Sequence, residues 1–156
     1  MAERILIPLD GSKPGEAALD YIGSFLSGLS PEKKPTVILL NVVTTFTHDV
    51  SVQGGGLSTI NVPNTDEEME KLKAESKSYL RKASEVLKSA GTEVELEVVT
   101  GKNPAEEIIK AESKFSCDLV AMSTHGRTGL SRWAFGSVTD KVLRGGQVPV
   151  LMIRAE

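Results

Sequence analysis

Two kinds of apolar pattern alternate along this chain. Arg4 to Leu9, Thr36 to Val43, Asp118 to Ser123 and Val148 to Ile153 are short and apolar at almost every position. Runs of that length, rich in Val, Ile and Leu, suit strands covered on both faces, as in a parallel sheet. The stretches between them repeat with helical spacing. Ala18, Ile22, Phe25, Leu26 and Leu29 form one stripe that ends at Pro31, with Pro14 in its first turn and Ser12 as its cap. Asp66 opens a long amphipathic helix whose stripe is Met69, Leu72, Tyr79, Leu80, Ala83, Val86, Leu87 and Ala90, stopped by Gly91. Val94 to Thr100 alternates apolar and acidic residues, the pattern of an edge strand with one solvated face. Asn103-Pro104 caps a helix carrying Ala105, Ile108, Ile109 and Phe115, and Val138 to Leu143 starts another.

The resulting order is β-α-β-α-β-α-β-α-β, which predicts an α/β fold: an open, mostly parallel, five-stranded, doubly wound sheet with helices on both faces. The 156 residues make one domain, 1–156. Residues 44–64 interrupt the rhythm with Gly54-Gly55-Gly56, many Ser, Thr and Asn, and little charge; they read as a flexible loop insertion. Composition narrows the function. A net charge of −3, from 18 basic and 21 acidic residues, argues against gripping nucleic-acid phosphates or an anionic membrane. One cysteine and two histidines exclude a disulfide framework and leave too few soft ligands for structural zinc. With no signal or membrane-spanning pattern, the expected location is cytoplasmic.

Ligands of such sheets sit beyond the carboxyl ends of the strands, where strand order reverses. The segments there lack several familiar chemistries. There is no G-x-x-x-x-G-K-[ST], no G-x-G-x-x-G after the first strand and no G-x-S-x-G, and neither His48 nor His125 has an evident nucleophile to serve. What stands out is Ser123-Thr124-His125-Gly126-Arg127-Thr128-Gly129-Leu130, continuing to Phe135-Gly136-Ser137-Val138. It follows a buried strand and leads into a helix. Glycines let backbone N–H groups approach anionic oxygens, a helix N-terminus favours negative charge, and Arg127 adds a charged fork.

These residues also resemble the universal stress protein family. The resemblance runs through Ile5-Leu6-Ile7-Pro8-Leu9-Asp10-Gly11-Ser12, Val37 to Val42, Gly101 to Ala105, the block from Ser123 to Arg144 and Val148 to Met152. The family's ATP-binding subgroup carries G-x2-G-x9-G-[ST]. Here that pattern falls on Ser123, Gly126, Gly136 and Ser137, so serine stands at its first glycine. The resemblance implies a Rossmann-like, adenine nucleotide alpha-hydrolase-like sheet holding ATP between the ends of the first and fourth strands, with Mg or Mn bridging the phosphates. It further implies that Asp10 meets the ribose, Pro8 and Leu9 line the base pocket, Val42 offers its backbone to adenine, and Met122 lies under the nucleoside. Gly126, Arg127, Gly136, Ser137 and Val138 would surround the triphosphate, beside Ser123. The implied role is a regulatory, stress-responsive module with at most slow hydrolysis.

The resemblance also implies a homodimer paired through the final strand, Val148 to Ile153. The rival reading is a dimeric interaction protein of the same fold that binds no nucleotide, favoured by Ser123. Cys117 reads as a buried, inert thiol. Trp133 reads as a packing residue or subunit contact, and His125 as a loop histidine.

Overall fold

The computed structural model describes residues 2–53, 56–124 and 136–155, with backbone alone over 47–61. Its frame is a sheet of five parallel strands in the order β5-β2-β1-β6-β7. These are β1 (Arg4–Pro8), β2 (Thr36–Thr44), β5 (Val94–Gly101), β6 (Leu119–Thr124) and β7 (Val150–Arg154). The chain builds outward from β1 to β2 and β5, then crosses back to add β6 and β7 on the other side. The five-stranded parallel architecture is the one the sequence pattern predicts.

Side-chain alternation explains why the central strands are apolar throughout. Ile5 and Ile7 of β1, with Val37 and Leu39 of β2, enter one core with Ala18, Leu19, Ile22 and Leu26 of α1 (Ala17–Ser27). Leu80 and Ala83 of α2 (Asp66–Ala83) and Leu87 of α3 (Glu85–Ser89) complete that layer. The intervening Leu6, Ile38 and Leu40 enter the opposite core, against Ala105, Ile108 and Ala111 of α4 (Pro104–Lys114) and Val142 of α5 (Ser137–Gly145). Cys117 lies in this second core. Burial pushes its thiol up to about 11, as expected of an inert cysteine.

Three local features differ from the sequence expectation. Residues 46–63 form an antiparallel pair, β3 (Phe46–Gln53) and β4 (Gly56–Pro63), in register from Phe46↔Pro63 to Gln53↔Gly56, where a flexible loop is expected. The helix expected over 66–90 is broken at Ser84. This buried serine donates its hydroxyl to the Arg81 carbonyl (2.7 Å), the kind of back-bond that bends a helix and here separates α2 from α3. Ser12 does not cap α1. A single 3₁₀ turn, Pro14–Glu16, precedes that helix, and Ser12 caps this turn instead: its oxygen accepts the Gly15 N–H while its own N–H and hydroxyl donate to Asp10.

Elsewhere the helix starts follow local chemistry. Thr65 and Glu68 form a reciprocal capping box at α2, and the Asn103 side chain accepts the Ala105 N–H at α4. At the amino-terminal end of the sheet, Asp118 accepts the backbone N–H groups of Glu3 (2.8 Å) and Arg4 (2.9 Å). Arg4 in turn reaches the Phe115 carbonyl and Glu95. Those two backbone donors hold the Asp118 carboxyl below its ordinary 3.8. A depressed carboxyl stabilises the fold above its unfolded value and loses that contribution as pH falls through its folded value. Asp118→Asn should therefore lower the melting temperature at pH 7, with the gap to wild type closing as pH is taken below 3.8. A gap that stays constant from pH 7 to pH 2 would show that the carboxylate charge is not responsible.

Candidate functional site

The reversal of strand order places β1 and β6 side by side, and their carboxyl ends open onto a cleft of about 300 Å³. Its walls come from three strand ends and two helix starts. β1 and the turn after it give Pro8, Leu9, Asp10 and Gly15; β2 gives Leu40 and Val42; β6 gives Met122 and Ser123. The start of α4 contributes Pro104 and Ile108, and the start of α5 contributes Gly136, Ser137, Val138 and Thr139. Of the residues singled out from sequence, Pro8, Leu9, Asp10, Val42, Met122, Ser123, Gly136, Ser137 and Val138 thus meet in one cleft. Gly126 and Arg127 lie outside the described residues, as do His125 and Trp133. Gly15, Leu40, Pro104, Ile108 and Thr139 were not anticipated. Leu40 and Ile108 carry only a core signal in the sequence, and helical position is what brings Pro104 and Ile108 to the rim.

Among the described lining residues Asp10 is the one ionisable side chain. Its Oδ1 accepts both the N–H (2.9 Å) and the hydroxyl (2.6 Å) of Ser12, whose oxygen accepts the Gly15 N–H (3.1 Å). The turn is tight enough to require glycine. A Cβ on Gly15 would stand 2.5 Å from Asp10 Oδ1. The preceding residue is held from the sheet: Leu9 N–H donates to the Leu40 carbonyl (2.8 Å), and Asn41 Nδ2 donates to the Leu9 carbonyl (2.7 Å). Ser76 of α2 donates to Asn41 Oδ1 (2.7 Å), so helix, strand and cleft wall are joined by one relay. One turn further along α2, the Tyr79 hydroxyl lies 3.3 Å from Glu16 Oε1 and is pushed up to about 12, chiefly by burial and then by Glu16.

Three helix N-termini face or border the cleft, and they are not equivalent. That of α4 is closed by Asn103. That of α1 has no cap from its own segment, but Ala18 N–H donates to Ser123 Oγ (2.8 Å) and the same hydroxyl donates to the Gly15 carbonyl (2.9 Å). Ser123 therefore spends its side chain on α1. Among the described residues the N-terminus of α5 has no side-chain cap; Gly136 and Ser137 are exposed, and a Cβ on Gly136 would meet no described atom within 4 Å. Open donors at the positive end of a helix dipole favour an anion, and among the described helices at the cleft α5 is the one that leaves them open. Among the described residues no group of three or more His, Cys, Asp or Glu could hold a metal ion. No helix among them is long and apolar enough to cross a membrane.

Comparison with known proteins gives a consistent result. The model of the universal stress protein family matches residues 1–154. Universal stress protein MJ0577 of Methanocaldococcus jannaschii is 31% identical over 162 aligned positions, covering 99% of this chain and 96% of the relative. The solved structure of MJ0577 superposes with a TM-score of 0.70 at 27% identity, covering 99% of this chain and 96% of that one. A universal stress protein from Archaeoglobus fulgidus, solved in complex with dAMP, shares the fold (TM-score 0.64, 17% identity, 96% of each chain).

The Gly15 turn yields a direct test. Alanine is worth roughly 0.5–1 kcal/mol over glycine in a helical turn, whereas overpacking costs about 1–3 kcal/mol, so the clash should win. Gly15→Ala should thus lower unfolding free energy in urea; a gain in stability would mean that the Asp10 turn yields without cost.

Proposed function

The chain belongs to the universal stress protein family, and we propose that its cleft binds an adenine nucleotide, ATP in the first instance, as a regulatory module. One observation carries the reading: a single cleft gathers an apolar lining, one carboxylate at a strand end, and the uncapped N-terminus of α5. Leu40, Val42, Ile108 and Met122 provide surface for a base, and Val42, two residues beyond the last β1–β2 pair at Pro8↔Leu40, is placed for its backbone to meet the polar rim of adenine. Asp10 keeps acceptor capacity for ribose hydroxyls beyond the oxygen used by Ser12. Gly136, Ser137 and Val138 offer backbone and hydroxyl donors to phosphates, with Gly126 and Arg127 assigned to the same task by the family pattern. The dAMP complex of the Archaeoglobus relative supports an adenine nucleotide as the ligand class. Mg or Mn would ride on the phosphate oxygens, since the described lining offers only Asp10 as a charged ligand.

Slow hydrolysis at most belongs to the same reading. A water-activating base needs a carboxylate or imidazole near the terminal phosphate, and Asp10, the one ionisable side chain among the described lining residues, is assigned to the ribose. The module would signal by its bound state. A homodimer through β7 belongs to the same proposal. Val150, Leu151, Met152 and Ile153 remain half-buried along an edge whose backbone groups lack a neighbour on one side.

Titration with ATP·Mg²⁺ should raise the melting temperature progressively, by about 2.7 kcal/mol of stability at a hundred times Kd. Mass spectrometry of the supernatant from heat-denatured protein should detect ATP or ADP. Gly136→Val should abolish the shift while leaving the unliganded melting temperature within a degree or so, because the backbone of Gly136 is one any residue adopts and no described atom lies within 4 Å of a Cβ there. Full-strength ATP binding by that variant would remove the phosphate assignment, and a cleft that binds no nucleotide would leave the dimeric interaction protein as the reading. In sedimentation, the wild type should run at twice the 16.7 kDa chain mass and Met152→Arg as a monomer. An unchanged dimer would move the interface away from β7.

A further inference from the structure

Ser123 is the residue at which this chain departs from the nucleotide-binding pattern, and among the described residues of the cleft wall its side chain is the one that bonds to another element. We propose that Ser123 is a positioning residue: its hydroxyl clamps the Asp10–Gly15 turn and the start of α1 to β6, and so sets the width of the cleft for its ligand. The inference rests on the nucleotide reading of the cleft for its functional half and on hydrogen bonds alone for its structural half.

The first turn of α1 has no cap from its own segment. Neither Lys13 nor Glu16, the residues flanking the turn before this helix, supplies a side-chain cap, and both have helical backbone angles. A first turn without a cap leaves backbone donors unsatisfied. Ser123 meets that need from a strand more than a hundred residues away, taking the Ala18 N–H as an ordinary capping serine would. A capping oxygen alone would have done no more than end a helix. Here the same hydroxyl also gives its proton to the Gly15 carbonyl, and Gly15 N–H passes to Ser12 and so to Asp10. Two hydroxyls, one on each side of Gly15, therefore tie the ligand-facing carboxylate to β6, and charge-assisted ends strengthen such chains. Glycine or alanine at 123 would leave Ala18 N–H and Gly15 C=O without this partner and free the turn to move relative to Met122 and Ser123. On this view serine does not close the cleft: its hydroxyl is turned onto the 15–18 segment, leaving its backbone on the wall.

The decisive comparison is among Ser123→Gly, which restores the family's motif, Ser123→Ala and Ser123→Thr, which keeps the hydroxyl. Amide exchange by NMR on the unliganded full chain reads the clamp, and calorimetric titration with ATP·Mg²⁺ reads its consequence. Exchange at Ala18 should accelerate about fivefold in the glycine and alanine variants and return toward wild type with threonine, as expected for loss of one cap. ATP should bind roughly fivefold more weakly to the same two variants and normally to the threonine variant, because only the clamped fraction is competent. Unchanged exchange at Ala18 in Ser123→Ala would overturn the clamp. Faster exchange with unaltered ATP affinity, or tighter binding by Ser123→Gly, would overturn the positioning role and leave a helix cap. If wild type binds no ATP at all, the nucleotide reading fails, and the exchange data alone decide for or against the clamp.

Discussion

The rest of the molecule depends on the demands placed on the five residues of β1. Both of its edges are paired, to β2 and β6, and both of its faces are buried, so Ile5, Leu6 and Ile7 must each be apolar while their backbone serves two neighbours. A strand so enclosed can be extended only by chain returning to it from opposite directions. That reversal forces the crossovers on its two sides to lie on opposite faces of the sheet, and it leaves a gap where they part. The cleft is what remains at the end of β1 once both cores have been filled.

Helix ends then give this gap its chemical character. A cleft bordered by three N-termini would be strongly electropositive if all three were bare. Asn103 spends one on a local cap and Ser123 spends another across the fold, so among the described helix starts the open donors are left at Gly136 and Ser137. Direction is thereby written into the site by the placement of side chains that never need to touch a ligand. Asp10 fits the same scheme, because Ser12 and Gly15 fix its orientation before anything arrives.

How far all this can be read from sequence depends on the range of the interactions involved. Four sheet strands were legible from nearly unbroken apolar runs, as in Val37 to Leu40, and β5 from the apolar–acidic alternation of an edge strand. The cleft residues at strand ends were legible from topology and from the family motif. The hairpin was obscured by composition: serine, threonine, asparagine and glycine dominate 44–64, although Gly54-Gly55 between two β-branched segments is a hairpin signal. The break at Ser84 is a single hydroxyl turned inward, invisible to a pattern of apolar positions. Ser12 looked like a cap because it precedes Pro14, while the true capping oxygen lies on β6, beyond the reach of any local rule.

The base of the hairpin has a consequence of a different kind. The chain leaves the sheet at Thr45, whose N–H donates to the Gly101 carbonyl, and returns at Asn64, whose N–H donates to the Thr45 carbonyl and whose side-chain amide donates to the Thr44 carbonyl. Departure and return thus share one small knot of hydrogen bonds, immediately ahead of the capping box that starts α2. An excursion closed at its neck can grow, shrink or be exchanged with only a logarithmic change in closure entropy. In this architecture residues 46–63 are held like a plug in a socket: a longer, shorter or different appendage could be seated at the same neck without disturbing the register of β2 with β5.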